Sequence, residues 1–564
     1  MTLIDLRKFL FAKAPYVLFA ILLLLRVVYA YSLRINSDEP QHLHIIWGWA
    51  NGLMQYRDVF DNHAPLFHIV FAPVYWLFGE RADILSVMRL AVIPLFFLSL
   101  WAVYHIGKAL YSREVGIWAA ILTGLYPAFF MTSVEFRADD LWMTLWLLTL
   151  AVLVQKSLTR SKLVLTGLLL GATFSASMKT TLLLSALFLA FLVSVIFTKR
   201  AERLSFRQYA MNGLLILAGL LIIPSILLSY FDVEAALRPL YYGLIQHNIV
   251  PGLSDWKQLD TGITKKIIAF AIIVIAGIYL LQSSYLQTSE SGLQQRRRII
   301  FLTYGLSTLG LYGFWPLITS QDFLPLIPLL IIIITGSMLE LMRRKQNTTG
   351  WILHPKSILL LFAILELGTF LTRNSLWHPQ FFSENKLLAE VLQLTRPEDA
   401  IMDLKGESVF RERPFFYALE GVTRQRIQLG LIKDSIAEDI AHSNTTVAAL
   451  DSPFFPSQGR EFLNNNFLPV GRLRVAGKML VAEESKSTSS VKFDVHIPTE
   501  YVLLAEHGAI HGWLDDTLYD GPRQLGAGQH TFRSDDNKPT RLALIWAQAV
   551  ERGFSPFNLS PKYD

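Results

Sequence analysis

Long apolar runs separated by short polar connections occupy the first two thirds of the chain. A helix that crosses a bilayer needs about 20 mostly apolar residues. About eleven runs approach this length, which predicts a polytopic α-helical membrane protein. The runs lie near residues 14–33, 84–106, 115–133, 140–155, 163–177, 181–197, 210–230, 265–282, 299–314, 323–341 and 352–371.

The pattern changes from about residue 375, where apolar runs shorten and clusters of Asn, Asp, Ser and Gly appear. Residues 373–465 mix helical patterns with short apolar strands. Residues 466–564 read mostly as strands, because short apolar runs alternate with turn residues. These strands are predicted over Leu473–Val481, Val491–Ile497, Tyr501–Ala505 and Arg541–Trp546. We therefore expect a membrane domain over 1–372, an α/β segment over 373–465 and a β-rich, sandwich-like domain over 466–564.

Basic residues alternate between the connections, because they precede the first predicted span and follow each even-numbered one. The positive-inside rule places these connections in the cytoplasm. The outer connections are then 34–83, 134–139, 178–180, 231–263 and 315–322, together with everything after about 372. Two short aromatic-rich segments in the first outer loop, 42–53 and 66–78, are predicted to be helices lying along the membrane surface.

Composition supports the membrane assignment. The 564 residues are 52% hydrophobic and 17% charged, whereas soluble domains average about 25% charged residues. The chain has no Cys, which excludes disulfides, thiolate metal sites and a cysteine nucleophile. The net charge of +6 is spread over short loops and does not indicate nucleic-acid binding. No Gly-rich phosphate loop opens a helix, which argues against a nucleotide sugar or ATP as substrate.

The acidic pair Asp38-Glu39 follows the first predicted span. A carboxylate at the lip of a membrane span can deprotonate an acceptor hydroxyl, and its surroundings can tune it towards a base. The alternative is that the pair caps the helix that follows Pro40. His42 and His44 are candidate ligands for a divalent metal, although their spacing matches no fixed ligand pattern.

A second charged cluster, Glu135-Phe136-Arg137-Ala138-Asp139-Asp140, lies between the third and fourth predicted spans. Placing ionisable residues beside lipid at the outer membrane surface is energetically costly unless they face a cavity. Arg137 could hold a phosphate oxygen, and Asp139 or Asp140 could orient a sugar hydroxyl or pair with Arg137. The alternative is an internal salt bridge combined with a helix cap.

Two further polar positions lie between apolar runs. Lys179 separates two closely spaced runs and needs an anionic partner or a route to water. A lipid phosphate is one candidate partner, and a snorkelling side chain at the interface is the alternative. Gln321 and Asp322, in a segment interrupted by prolines, are candidate contacts for a sugar or phosphate, with an ordinary loop as the alternative.

Together these residues resemble the GT-C superfamily of integral-membrane glycosyltransferases, and in particular the bacterial group related to dolichyl-phosphate-mannose protein mannosyltransferases and aminoarabinose transferases. Two motifs carry most of the resemblance, and Arg137-Ala138-Asp139, Lys179 and Gln321-Asp322-Phe323-Leu324 add to it. The two motifs are Ser37-Asp38-Glu39 and Tyr56-Arg57-Asp58-Val59-Phe60-Asp61-Asn62-His63-Ala64-Pro65-Leu66. The resemblance covers about 370 residues.

This resemblance implies inverting transfer of a sugar from a polyprenyl-phosphate donor to a hydroxyl of a protein, lipid or envelope glycan. The reaction would occur on the outer face of the bacterial cytoplasmic membrane. Asp38 is then the expected base, with Glu39 as its neighbour or substitute. Arg137 and Lys179 are expected donor-phosphate contacts. Expected substrate contacts are Arg57, Asp58, His63, Asp139 and Gln321. The reaction requires no cofactor, and a divalent metal is optional.

Two other classes of function fit parts of the pattern. A transporter or flippase of a polyprenyl-linked or amphipathic substrate would more often show inverted repeats and spans interrupted at the bilayer midplane. A membrane-anchored carbohydrate-binding protein would use the β-rich tail as its working part. The sequence favours an enzyme, because its ionisable residues gather at the predicted outer surface.

Overall fold

The computed structural model describes residues 3–198, 203–251, 291–315, 317–349, 355–373, 382–480, 490–535 and 541–557. The chain forms two compact units, and neither is continuous in sequence. The first, here called the helical unit, contains Met1–Arg34, Asn62–Val74 and Leu85–Pro379. The second, here called the sheet unit, contains Ile35–Asp61, Tyr75–Ile84 and Gln380–Asp564. Part of the first predicted outer loop therefore belongs to the same unit as the C-terminal part of the chain.

Most of the helices up to residue 373 follow the predicted apolar runs. They are α1 (Leu3–Ser32), α2 (Asp38–Ala50), α3 (Leu66–Phe78), α4 (Ile84–Ala91), α5 (Ile93–Leu110), α6 (Arg113–Leu125), α7 (Pro127–Thr132), α8 (Ala138–Leu153), α9 (Arg160–Ala176), α10 (Thr180–Ile196), α11 (Phe206–Val233), α12 (Leu237–Tyr241), α13 (Ser291–Phe314), α14 (Ile327–Thr349) and α15 (Pro355–Arg373). Ten of the predicted spans coincide with these helices. The predicted span near 265–282 lies outside the described residues, so the count of eleven stays a prediction.

Several helices have the length and composition of membrane spans. Within the described residues, four are long and apolar enough to cross a bilayer: Lys13–Ser32, Ile84–Leu110, Phe206–Val233 and Ser320–Glu340. Only 11% of the most apolar window of Phe206–Val233 is buried inside the protein. Exposing so much apolar surface to water would be unfavourable by roughly 25 cal/mol per Å². These helices therefore belong to a multi-pass membrane protein.

Glycines bring α9 and α11 close together. A Cβ atom at Gly167, Gly171 or Gly219 would overlap the backbone of the facing helix. Small residues allow this approach, which is common between membrane helices. The pairing fixes α9 just before the short connection that carries Lys179.

Within the described residues, the sheet unit contains eleven strands and the remaining helices. The strands are β1 (Ile401–Met402), β2 (Val447–Ala449), β3 (Phe467–Val470), β4 (Leu473–Leu480), β5 (Ser490–Val495), β6 (Thr499–Ala505), β7 (Gly512–Leu514), β8 (Thr517–Leu518), β9 (Arg523–Leu525), β10 (Gly528–Ser534) and β11 (Leu542–Trp546). The helices are α16 (Phe382–Leu394), α17 (Gly421–Gln428), α18 (Ile436–His442), α19 (Ser457–Asn466) and α20 (Ala547–Glu551). A sheet-containing C-terminal part is thus confirmed.

The strands form two sheets. The larger has the order β1-β2-β4-β11-β6-β9, with β3 paired to β4, and the smaller has the order β5-β10-β7-β8. The β1–β2 pair is parallel, whereas β4, β6 and β11 pair antiparallel. One hydrophobic core contains Val475 and Ile545 from the larger sheet and Phe493 and Phe532 from the smaller. The larger sheet therefore combines strands from both segments predicted after residue 373.

Candidate active site

A buried set of ion pairs forms in the helical unit around Asp139. The ammonium Nζ of Lys179 lies 3.0 Å from Asp139 Oδ1 and 2.7 Å from Asp322 Oδ1. Arg137 Nε donates to the other oxygen of Asp139 at 3.2 Å. The side chains of Asp139 and Asp322 are only 9% and 2% exposed. Lys179 therefore has the anionic partners that its position requires, and they are carboxylates of this chain.

The set extends through Glu135. Its Oε2 lies 3.9 Å from Arg137 Nη1 and accepts a hydrogen bond from Gln321 Nε2 at 2.9 Å. Four of the predicted site residues, which are distant in sequence, meet here. We call the whole set the buried ion network; its members are Glu135, Arg137, Asp139, Lys179, Gln321 and Asp322.

Local structure explains why these side chains converge. Asp139 lies in the first turn of α8, where a carboxylate interacts favourably with the helix dipole. Trp142, one turn further on, donates from Nε1 to Oγ1 of Thr180 at 3.0 Å, which ties α8 to the start of α10. Asp322 is held by the backbone N–H and hydroxyl of Thr319, both of which donate to its Oδ2. Lys179 thus lies between two fixed carboxylates.

The buried ion network has one more carboxylate than it has cations. Two cations, Arg137 and Lys179, face three carboxylates, Glu135, Asp139 and Asp322. Burial alone would lower the pKa of Lys179, but Asp139 and Asp322 outweigh burial and hold that pKa above its ordinary value. The Lys179 side chain is nevertheless 26% exposed, so part of it remains accessible to an anion.

A second, more accessible ion pair lies in the sheet unit. Asp38 is the first residue of α2, and its Oδ1 lies 2.7 Å from Nζ of Lys405. The same ammonium donates to Oγ of Ser37 at 2.9 Å. The side chain of Asp38 is 27% exposed and that of Lys405 is 17% exposed. Asp38 therefore combines a fixed cationic partner with access from outside the protein.

The neighbouring carboxylate has different surroundings. Glu39 is fully buried, and its Oε1 accepts from the backbone N–H of Asn36 at 2.8 Å. This contact ties Glu39 to the chain just before α2, whereas the N-cap residue Ser37 makes no side-chain capping hydrogen bond. Of the two adjacent carboxylates, Asp38 is the one that a substrate can reach.

The motif that follows α2 forms a compact turn in the sheet unit. Arg57 forms a two-point contact with Asp58, with distances of 2.9 and 2.8 Å, and both side chains are partly exposed. Asp58 also accepts from the backbone N–H of Met54 at 2.8 Å. The hydrogen bond from Arg57 holds the pKa of Asp58 below its usual range. Gln55 donates to Asp61 at 2.6 Å, which closes the turn from inside. Arg57 and Asp58 thus lie together on its accessible side.

His63 belongs to the helical unit, unlike the residues before it in the same motif. Its imidazole acts electrostatically on Asp139. The preceding residue, Asn62, accepts through its backbone carbonyl from Asn248 at 3.2 Å. The motif from Tyr56 to Leu66 therefore supplies residues to both compact units.

The two histidines considered as metal ligands are buried on α2. His44 Nδ1 donates to the backbone carbonyl of Val409 at 2.8 Å, and the ring stacks on Trp47. Burial lowers the pKa of His44. His42 is 1% exposed. Across the described ranges, no group of three or more His, Asp or Glu side chains is arranged to hold a metal ion. Metal binding by His42 and His44 stays a prediction without a third ligand in the described part of the chain.

Sequence reasoning missed Lys405, although it contacts the expected base. The two residues of the Asp38–Lys405 contact are 367 positions apart in the chain. The sequence around Lys405 indicates only a turn, because Asp403-Leu404-Lys405-Gly406 follows the short strand β1 and has the composition of a turn. Asp322 was considered as a sugar or phosphate contact, whereas the structure pairs it with Lys179.

The sequence and the fold are similar to those of known proteins. Residues 62–227 match the family model described as dolichyl-phosphate-mannose-protein mannosyltransferase. The crystal structure of ArnT from Cupriavidus metallidurans in the apo state is similar, with 12% identity, a TM-score of 0.53, and coverage of 82% of this chain and 98% of that chain. The chain has the fold of ArnT.

Two further solved structures were also matched. The structure of the same ArnT bound to undecaprenyl phosphate matches with 13% identity, a TM-score of 0.50 and the same coverage of both chains. The oligosaccharyltransferase of Archaeoglobus fulgidus in the apo form matches at 12% identity and a TM-score of 0.43, over 81% of this chain and 73% of that chain. No curated protein sequence matches significantly. The family-model match and the two ArnT structures confirm the resemblance to the GT-C superfamily at the level of the fold.

Proposed function

We propose that this protein is a membrane glycosyltransferase that moves a sugar from a polyprenyl-phosphate donor to a hydroxyl acceptor with inversion at the anomeric carbon. The observation that carries the proposal is Asp38, an accessible carboxylate at the start of α2 with an ammonium group 2.7 Å away. An accessible carboxylate with an oriented partner is the arrangement that a general base needs.

The proposed chemistry is a single displacement. Asp38 removes the proton from the acceptor hydroxyl as the hydroxyl oxygen attacks the anomeric carbon. The bond between that carbon and the phosphate oxygen breaks on the opposite face, and its electron pair leaves with the polyprenyl monophosphate. The sugar is then attached to the acceptor in the inverted configuration, and the proton resides on Asp38 until it passes to water.

The choice of donor rests on fold similarity and on the charged residues of the helical unit. The similar ArnT was solved with undecaprenyl phosphate, a polyprenyl monophosphate. We propose that Lys179 and Arg137 stabilise the charge that develops on the donor phosphate. The phosphate would take over contacts that Asp139 and Asp322 now make with Lys179. Asp139 and Gln321 would then be placed to contact sugar hydroxyls, as would His63.

The proposed site faces the outside of a bacterial cytoplasmic membrane, as the distribution of basic residues predicts. Arg57 and Asp58 are proposed as substrate contacts, because their paired side chains remain partly exposed. A divalent metal is not required by this chemistry, because a phosphate monoester is a competent leaving group when cations stabilise it.

The test uses the purified full-length protein reconstituted in liposomes. Radiolabelled sugars are offered either on a polyprenyl monophosphate or on a nucleoside diphosphate, with protein, lipid and envelope-glycan acceptors. Label incorporation is measured with and without a chelator, and the anomeric configuration of the product is determined by NMR. We expect transfer only from the polyprenyl-phosphate sugars, with inversion and without chelator sensitivity.

Each other result changes a defined part of the proposal. Transfer from a nucleotide sugar would reject the donor class, and a product with retained configuration would reject the single displacement. Loss of transfer with chelator would establish a required metal. No transfer, together with movement of the intact lipid-linked sugar across the bilayer, would replace the enzyme with a transporter.

A further inference from the structure

The segment that carries Lys405 is built around a buried carboxylate. Asp403 is 1% exposed, and its two oxygens accept from the backbone N–H groups of Gly406 and Ser408 at 2.8 Å each. The hydroxyl of Ser408 donates to the same carboxylate at 2.7 Å, and Arg413 Nε lies 2.9 Å from it. We call residues 403–409 the Asp403 turn. Lys405 projects from a backbone that these contacts fix.

The Asp403 turn is also pressed against α2. Gly406 has φ +100°, and a Cβ atom there would lie 2.7 Å from Cβ of His44. Val409 has φ +54°, which is an outlier for a β-branched residue. Its carbonyl accepts from His44. Strained backbone persists only where surrounding contacts enforce it, and such sites cluster at functional positions.

The turn therefore delivers one ammonium group to the carboxylate of Asp38. Lys405 Nζ bridges Asp38 and Ser37, the two residues at the start of α2. Its own backbone N–H donates to Oε2 of Glu407 at 2.8 Å, which fixes the main chain on both sides of the lysine. The lysine side chain is 17% exposed, so it is not a flexible surface residue.

We infer that Lys405 is a positioning residue for Asp38 and that the C-terminal part of the chain thereby completes the active site. The inference rests on the proposed function. Partial burial favours the protonated form of a carboxylic acid, whereas an adjacent ammonium favours the ionised form. Lys405 keeps Asp38 ionised and aims it, so that the carboxylate is ready to accept the proton of the acceptor hydroxyl.

Other ionisable groups lie near this pair, and the test must distinguish their effects from the effect of Lys405. Glu39 and His44 lie on α2, and Asp403, Glu407 and Arg413 lie on or beside the Asp403 turn. Asp403 and Arg413 are paired with each other, and His44 donates to a backbone carbonyl. Lys405 is the group whose ammonium directly contacts Asp38, so substitutions at Lys405 alter that charge while leaving those two contacts in place.

The test compares purified full-length variants in the transfer assay across pH. Lys405→Met removes the charge and the hydrogen bond, Lys405→Gln keeps a hydrogen-bond donor without the charge, and Lys405→Arg keeps both. Lys433→Met is the matched control, because Lys433 pairs with Glu438 at 2.7 Å on the exposed surface of the same unit. For each variant, kcat, the KM for the donor and the Tm are measured.

We expect Lys405→Met and Lys405→Gln to lower kcat about tenfold near neutral pH, with the KM for the donor and the Tm little changed. The acid limb of their pH–rate profiles should move to higher pH by about one unit, because a carboxylate without its cation protonates more readily. Lys405→Arg should recover most of kcat, and Lys433→Met should match the wild type.

Three results overturn the inference. Wild-type kcat and an unshifted acid limb in Lys405→Met would show that Asp38 does not depend on the lysine. A changed KM with an unchanged kcat would make Lys405 a donor contact. A lowered Tm in both neutral variants, with normal kcat in the folded fraction, would make it purely structural. Absence of transfer by the wild type would instead reject the proposed function, and the role of Lys405 with it.

Discussion

The two charged regions of this molecule have opposite designs. The buried ion network of the helical unit places five ionisable groups in contact with one another, and Asp139 and Asp322 are almost fully buried. The Asp38–Lys405 pair of the sheet unit has two principal charges, and both side chains remain partly exposed. In the network, one lysine is shared between two buried carboxylates, whereas the carboxylate of the pair is accessible to an acceptor.

The difference in burial between the two regions predicts different effects of substitution on stability and on catalysis. Buried ion pairs are costly to break, since removing one member leaves an uncompensated charge in a poorly solvated site. A partly exposed pair contributes less to stability. The carboxylate of Asp38 is therefore accessible to a substrate. Substitutions in the network should therefore affect folding first, and substitutions in the pair should affect turnover first.

The largest expected effect on stability is that of Lys179→Met. The substitution leaves Asp139 and Asp322 facing each other without their shared cation, which should lower the free energy of unfolding by about 3–5 kcal/mol. The Tm of the purified protein in detergent measures the loss. Adding Asp322→Asn to the same chain should restore part of the Tm, because the second change removes a carboxylate that the first left unpaired.

The Lys179 variants also test the proposed contact between Lys179 and the donor. If Lys179 contacts the donor phosphate as proposed, the stabilised double variant should still show a raised KM for the donor. A single Lys179→Met variant with a wild-type Tm would contradict the structural importance of the network. Lys433→Met again serves as the control and should leave the Tm unchanged.

A smaller effect is expected at the contact between the Asp403 turn and α2. Gly406→Ala introduces a Cβ 2.7 Å from His44 at a position with φ +100°. Gly430→Ala is the matched control, because Gly430 has φ +70° with no atom near the added Cβ. Both variants should be strained, and Gly406→Ala should be less stable than the control by about 1–2 kcal/mol. Equal Tm values for the two variants would mean that the close packing on His44 contributes nothing.

The last effect concerns pH. Burial and the nearby carboxylate of Asp403 raise the pKa of Glu407 to about 7. The fold therefore favours protonated Glu407, and this stabilising contribution is complete below the usual glutamate pKa and is lost as the pH rises through about 7.

Glu407→Gln removes the titrating group and keeps an oxygen that accepts from the backbone of Lys405. The difference in Tm between the wild type and this variant, measured from pH 4 to pH 8, should therefore change in one direction only, with the wild type losing relative stability as the pH rises. A difference that stays constant over this range would show that Glu407 titrates normally in the folded protein.

Much of the helical architecture could be predicted, because apolar length is a local property of the sequence. The runs near 14–33 and 210–230 coincide with α1 and α11, and the strands predicted at Tyr501–Ala505 and Arg541–Trp546 coincide with β6 and β11. The two helices predicted in the first outer loop correspond to α2 and α3. These predictions depend on the pattern of apolar positions and on the turn residues between them.

The partners of the candidate site residues could not be predicted in the same way. Lys179 pairs with Asp139 and Asp322, and Asp38 pairs with Lys405, through contacts that join distant parts of the chain. Sequence patterns indicate that a charge in an apolar setting needs a partner, but they do not identify which one. The assignment of part of the first outer loop to the sheet unit depends on the same long-range contacts.

The most direct test of the central claim is the kcat of Asp38→Asn at saturating donor, measured on purified protein beside the wild type. Asp83→Asn is the matched control, because Asp83 is a partly exposed carboxylate of the same predicted loop and pairs with Arg81. We predict that Asp38→Asn loses at least about a hundredfold in kcat with its Tm retained, and that Asp83→Asn behaves as the wild type. Wild-type turnover by Asp38→Asn would show that Asp38 is not the base.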